Sequence, residues 1–319
     1  VSAARTLVVA LSGGIGGAKL ALGLARIMPA ADLLVVANTA DDFEHLGLAI
    51  SPDLDTLMYT LAGLDDTQRG WGRRDETWTF MAALAALGGE TWFRLGDGDL
   101  AVHVERTRRL AAGESLSAIT TDFCRRLGLA TRIVPMSDDR VRTRLHTNEG
   151  WLDFQDYFVR RRCEPRVSGI EYDGAAHALP QPQVLAALAD PRLRAVVICP
   201  SNPFVSIEPM LAVRGLRDPI ASCRAPVVAV SPIIGGRAVK GPTAKIMAEL
   251  GLPVSAMAVA QRYAGLIDGY VVDHADAASA AALGVPVTAA QTLMLTLDDR
   301  EALARHVLAA ADALAKATA

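Results

Sequence analysis

The sequence predicts an α/β protein built on a Rossmann-like, doubly wound, mostly parallel sheet with a helical and β-hairpin insertion. Three observations carry this expectation. Short β-branched apolar runs end in glycine or polar turns, stripes of helical period separate them, and the alternation breaks in mid-chain before resuming.

The run "TLVVAL" (6–11) ends at glycines, as a buried parallel strand does. Leu20, Leu24 and Ile27 then recur on one helical stripe, and "LLVVAN" (33–38) reads as a second strand, which completes one βαβ unit. From 55 to about 129 the helical period dominates, beginning with Leu54, Leu57, Met58 and Leu61. Between 131 and 172, "ATRIVPM", "WLDFQDYFV" and "RVSGIEYDG" predict hairpins. Buried parallel strands are expected again within 194–203, 225–236, 252–259, 269–273 and 285–288, and a last helix carries Leu303, Val307 and Leu314. The nucleotide-binding core is therefore expected over 1–54 and 190–319. Residues 55–189 form the insertion, packed on the carboxyl ends of the strands where it roofs a site.

Composition narrows the function classes. Of 319 residues, 51% are apolar and 5% aromatic, which suits one large or two intimately joined α/β domains. A net charge of −3 with interspersed signs gives no field for nucleic acid or an anionic membrane, so an anionic ligand must be met locally. No apolar run reaches the roughly 20 residues of a membrane span. The N-terminal apolar run flows into a glycine turn and reads as a strand, not a signal peptide. Cys124, Cys163, Cys199 and Cys223 are too scattered for a disulfide framework or a zinc site, which points to buried thiols in a cytoplasmic protein.

Three loops at strand ends compete for a phosphate. "LSGGIGGAKL" (11–20) offers Gly13, Gly14, Gly16 and Gly17 at a helix start, with Lys19 as an added cation. It lacks the Gly-Lys-Ser/Thr ending of a P-loop and the third glycine of a dinucleotide fingerprint, and a turn that merely closes the junction stays open. "CPSNPFVSIEPM" (199–210) presents Ser201 and Asn202, either as ligand donors or as a helix cap before Pro203. "SPIIGGRAVKGP" (231–242) is the third.

Beside this anion cradle lie Asp41, Asp42, Asp53 and Asp55, which would repel any phosphate unless a cation stood between. Mg²⁺, held by one or two carboxylates plus phosphate oxygens, resolves the conflict. Asp53 and Asp55 are alternatively N-caps. Arg94 precedes a glycine turn and can face a ligand, Asp99 has the placement of an N-cap, and His103 reads as structural or surface.

In order along the chain, "GGIGGAK", "NTADD", "ISPDLDTLMY", "RGWGRRDET", "RLGDGDLA", "PMSDD", "FQDYFV", "PSNPFVSI" and "SPIIGG" resemble the CofD family, the 2-phospho-L-lactate transferases of coenzyme F420 biosynthesis. The resemblance implies a Mg²⁺-dependent enzyme that moves a phospho-organic-acid group, phospholactate or phosphoenolpyruvate, from a guanylyl diphosphate donor to the ribityl hydroxyl of the deazaflavin Fo, releasing GMP. It also implies Asp55 and Arg94 as Fo-contacting positions and Asp41 with Asp55 as catalytic, metal-side carboxylates. The first glycine loop, Lys19, Ser201 and Asn202 are assigned to the donor nucleotide. A homodimer is the expected assembly. Gly98 departs from the arginine in the family's "LGDRD", which leaves the acid open among phospholactate, phosphoenolpyruvate and 3-phosphoglycerate. The nearest rival, a non-catalytic nucleotide-sugar binder of the gluconeogenesis-factor type, usually continues the acidic pair as "DDGGSSG", where this chain has Phe43 and Glu44. A nicotinamide dehydrogenase is disfavoured by Asn38, which stands where that class places an acid for the ribose.

Overall fold

A computed structural model of the chain describes residues 5–317, so the first four and last two residues of the expected core lie outside it. Strand β1 (Leu7–Ser12) enters α1 (Gly14–Ile27) and returns as β2 (Leu33–Ala37). A hairpin of β3 (Phe43–His45) and β4 (Leu48–Ile50) leads into α2 (Pro52–Ala62), then α3 (Thr79–Ala86), α4 (Asp97–Ala111) and α5 (Leu116–Arg126). β5 (Arg132–Pro135) follows, and then β6 (Arg142–Thr147), β7 (Gly150–Asp153) and β8 (Val167–Asp173) make a separate antiparallel sheet. α6 (Pro182–Ala189) leads to β9 (Leu193–Ile198), β10 (Val227–Val230), the small hairpin β11 (Ile233–Ile234) and β12 (Arg237–Ala238), β13 (Gly269–Asp273) and β14 (Val287–Ala290). A helix over Leu297–Ala317 closes the described chain.

The main sheet runs β14-β13-β10-β9-β1-β2-β5, with every pairing parallel. From β1 the chain builds outward through β2 and β5 on one side and through β9, β10, β13 and β14 on the other. The winding reverses between β1 and β9, and the crevice outside their carboxyl ends is where an open α/β sheet binds ligands.

Both faces of this sheet are covered, which is why its strands read as unbroken apolar runs. Val8 and Ala10 pack with Leu20 and Leu24 of α1, Leu57 of α2 and Leu303 of the C-terminal helix. Leu7, Val9 and Leu11 face the other side, against Val184, Phe204 and Met210. Each such aliphatic side chain contributes about 1.5–3 kcal/mol on burial.

Two sequence readings need correction. The "ATRIVPM" stretch, expected as a hairpin in the insertion, supplies β5, which pairs parallel with β2 at the sheet edge. Pro135 ends it, at an edge where a missing N–H costs least. The second correction concerns 252–259, expected as a strand. Its second half opens a helix, Ala256–Arg262, because Ser255 accepts the Ala258 N–H as an N-cap.

Candidate active site

A cavity of about 700 Å³ opens at the carboxyl ends of β1, β2, β9 and β10. Gly13, Gly14, Gly16, Lys19, Asp41, Asp55, Arg94, Ser201 and Asn202 all line it; Gly17 does not. The three loops that compete for a phosphate in the sequence therefore share one wall system, with Ser231 and Lys240 supplied by the third.

The loop after β1 is tied to two others. The Gly13 N–H donates to Ser201 Oγ at 3.1 Å, and the Gly14 N–H donates to Asp53 Oδ1 at 2.7 Å. Gly14 has φ +64°, a left-handed conformation that favours glycine, and a Cβ there would meet open space. At Gly16 a Cβ would collide with the Pro200 carbonyl, and at Gly17 it would lie 2.6 Å from Ser201 Oγ. The run thus serves both readings: Gly14 faces the cavity, while Gly16 and Gly17 let α1 press against the loop after β9. Asn202 is likewise double. Its Oδ1 caps the turn over Pro203–Ile207 by accepting from Phe204 and Val205 N–H, and its buried Nδ2 is left without a partner.

The carboxylates divide into two groups with opposite electrostatics. In the first, Asn38 Nδ2 donates to Asp53 Oδ2 at 3.0 Å, and Ser51 Oγ donates to Asp42 Oδ2 at 2.8 Å. Asp41 Oδ1 and Asp42 Oδ1 are buried without partners. Burial pushes Asp53 up to about 6 against the pull of Asn38 and Gly14. It pushes Asp42 up to about 7 although Arg142 and Ser51 oppose it. Burial and then the charge of Asp53 hold Asp41 well above the usual carboxylate range. Arg142 offsets only part of this burial for Asp42 and Asp41, and no cation grips their oxygens as Arg106 grips Asp55.

The second group is saturated with positive charge. Arg106, 1% exposed, grips both oxygens of Asp55: Nη2 on Oδ1, and Nη1 at 3.1 Å from Oδ2. Burial works against the Arg106 charge, and Asp55 more than restores it, leaving the guanidinium pKa raised. Asp55, Asp99 and His103 lie close enough together to resemble a metal cluster, but the Arg106 guanidinium already supplies the cation. His103 Nδ1 is 3.4 Å from Arg106 Nη1, which can only donate, and its Nε2 lies 3.3 Å from Asp99. Tyr59 donates to Asp99 at 2.6 Å. Burial opposes the Asp99 charge, yet His103 and Tyr59 leave its pKa lowered.

The described acids and loops test whether a divalent cation fits. Asp41, with an orphaned buried oxygen beside Asp53, is a donor set short of one positive charge, and it suits a hard cation. Asp55 has that charge already.

The model of the family described as 2-phospho-L-lactate transferase CofD matches residues 8–311. The chain belongs to the CofD family. A phosphoenolpyruvate transferase of Streptomyces griseus subsp. griseus is 43% identical over 314 residues, covering 96% of this chain and 98% of that relative. A 2-phospho-L-lactate transferase of Methanosarcina mazei is 39% identical over 305 residues, covering 95% and 99%. A upf0052-family protein of Bacillus halodurans has a similar solved structure, with a TM-score of 0.63 at 14% identity over 95% of this chain and 99% of that one, a likeness of fold.

In this CofD chain the departure at Gly98 has a visible consequence. Arg73 Nη1 lies 3.3 Å from the Gly98 carbonyl, so a guanidinium from the preceding loop still stands against this turn. Glu76 accepts the Gly98 and Asp99 N–H groups and caps α4, so Asp99 is free for Tyr59 and His103 and is not the N-cap the sequence suggests. His103 is buried in the site, not a surface residue. Arg106 belongs to no motif in the sequence. Its one signal is spacing: Asp99, His103 and Arg106 fall at i, i+4 and i+7 on one face of α4.

Proposed function

We propose that this chain transfers the phosphoenolpyruvyl group of a guanylyl diphosphate donor to the terminal ribityl hydroxyl of Fo, giving dehydro-F420-0 and GMP. The observation that carries the reading is a single cavity that brings the acceptor-side positions Asp55 and Arg94 together with the glycine loop, Lys19, Ser201 and Asn202. The choice of enolpyruvate over phospholactate leans on relatives such as the Streptomyces coelicolor protein named phosphoenolpyruvate transferase, 42% identical over 319 residues.

Asp55, its oxygens fixed by Arg106, keeps lone pairs for the ribityl hydroxyl. It orients that hydroxyl toward the distal phosphorus and takes up the proton as the new P–O bond forms and the bond to GMP breaks. Arg94, its guanidinium carbon 4.3 Å from the Trp78 ring centroid, is held at the acceptor end by a cation–π contact. Lys19 Nζ donates to the Met294 carbonyl at 2.8 Å, which fixes its ammonium at the cavity wall. The unpartnered Asn202 amide and the Ser201 hydroxyl serve the diphosphate. Asp41, with Asp53 behind it, would hold Mg²⁺, which when bound neutralises charge on the bridging phosphates. Asp55 is left to the acceptor.

A mass-spectrometric assay with purified protein, Fo and donors bearing phosphoenolpyruvate, phospholactate or 3-phosphoglycerate tests the reading. The dehydro-F420-0 mass is expected to dominate. Absence of all three products ends it.

A further inference from the structure

A second lobe of about 720 Å³ lies beside the cavity and shares Ile15, Lys19, Thr56, Tyr59 and Lys240 with it. Lys19 and Lys240 stand in the walls of both lobes, and Arg300 lines the second. Arg300 is 8% exposed and its Nε is buried without an acceptor. Among the described residues no carboxylate lies within the 4.0 Å of an ion pair from Arg300, Lys19 or Lys240.

Lys19 registers the crowding. Burial lowers its pKa, and the charges of Arg300 and Lys240 lower it further, against a weaker pull from Asp65 and Asp299. The other acids of this lobe are engaged elsewhere: Asp66 pairs with Arg69 at 3.6 Å and Asp75 with Arg74 at 3.8 Å. Asp65 also lines this lobe but forms no ion pair with the three cations. A buried guanidinium without an acceptor is costly, and one facing a cavity beside two ammonium groups is complementary to a further anion.

We propose that Lys19, Lys240 and Arg300 form a subsite for the carboxylate of the transferred phospho-acid, and that this subsite selects which donors react. The inference rests on the transferase reading for the identity of the donor. The donor carries two kinds of anion. Its diphosphate is met by the glycine loop with Ser201 and Asn202, while the acid's carboxylate extends beyond the distal phosphorus and needs cations of its own. The planar fork of Arg300 suits a carboxylate, and Lys19 bridges the two lobes.

Calorimetric titration of wild type, Arg300→Gln and Lys240→Gln with phosphoenolpyruvate alone and with GDP, alongside steady-state kinetics, tests this. Lys240 is exposed, so its variant keeps the test readable even if replacing the buried Arg300 perturbs folding. Either variant is expected to weaken phosphoenolpyruvate binding and raise the donor KM about tenfold, with GDP affinity and the Fo KM unchanged within about twofold. An equal loss of GDP affinity would assign the three cations to the nucleotide phosphates and overturn the proposal. So would unchanged phosphoenolpyruvate binding in both variants, or none in wild type. If wild type binds phosphoenolpyruvate through these residues yet forms no product from Fo, the subsite stands and the transferase reading fails.

Discussion

Arg106→Met removes the guanidinium from Asp55 while keeping most of the volume of a side chain that is 1% exposed. Asp55, 5% exposed, then keeps a carboxylate whose two strongest partners are gone. Breaking a buried pair from one side costs about 3–5 kcal/mol, because the remaining charge is uncompensated. For a domain of this size that corresponds to a fall in Tm on the order of 10 °C. Adding Asp55→Asn to this variant removes the stranded charge and should recover part of the loss. Urea denaturation of the two single variants and the double variant reads the coupling directly. An Arg106→Met variant within about 1 kcal/mol of wild type, or a double variant no better than Arg106→Met, would show that the pair does not carry the charge balance described above.

Asp55→Asn alone keeps an acceptor oxygen for Arg106, so the fold should persist while dehydro-F420-0 formation is lost; near-normal turnover rules out its role at the acceptor hydroxyl. Gly16→Ala should destabilise by about 1–3 kcal/mol through collision with the Pro200 carbonyl, and Gly14→Ala, with open space around it, only by about 1–2 kcal/mol from its left-handed backbone; thermal denaturation that ranks Gly14 as the worse site contradicts the packing argument. Asp42, pushed by burial from the usual 3.8 up to about 7, binds a proton in the folded metal-free protein that the unfolded chain has released, so its contribution turns unfavourable as pH rises from about 4 through 7. Asp42→Asn should therefore raise Tm increasingly toward pH 8, and a Tm difference independent of pH counts against the burial. Thermal shift should show stabilisation by GDP with Mg²⁺, lost on chelation, and by Fo, but not by NAD or UDP-sugars; the opposite ligand preference would favour a sugar-nucleotide binder.

The parallel core was legible because burial on both faces leaves unbroken runs such as "LVVALS", and their shortness and flanking glycines mark them as strands. β5 escaped because an edge strand needs only two apolar residues, Ile133 and Val134, before Pro135. Residues 252–259 misled because alternating small apolar and polar residues suit either period, and the deciding contact is the local Ser255 cap. In the site, the glycine loop and the acid cluster announced themselves by composition. The division of those acids did not, since it depends on Arg106, which the sequence presents as one charge among several in "VERTRRL". Asp53 is similar: its bonds to Gly14 and Asn38 join segments that only the fold brings together. The orphaned guanidinium of Arg300 has no sequence signature, because isolation from carboxylates is a property of the packed molecule.

The most direct measurement is a crystal of the protein with GDP, Fo and Mn²⁺ in place of Mg²⁺, read by anomalous scattering. The peak is expected beside Asp41 and the diphosphate, with the ribityl hydroxyl at Asp55 and the Arg106 pair intact. A peak on Asp55 with Arg106 displaced, or no peak with GDP bound, would contradict the division of labour between the two sets of carboxylates.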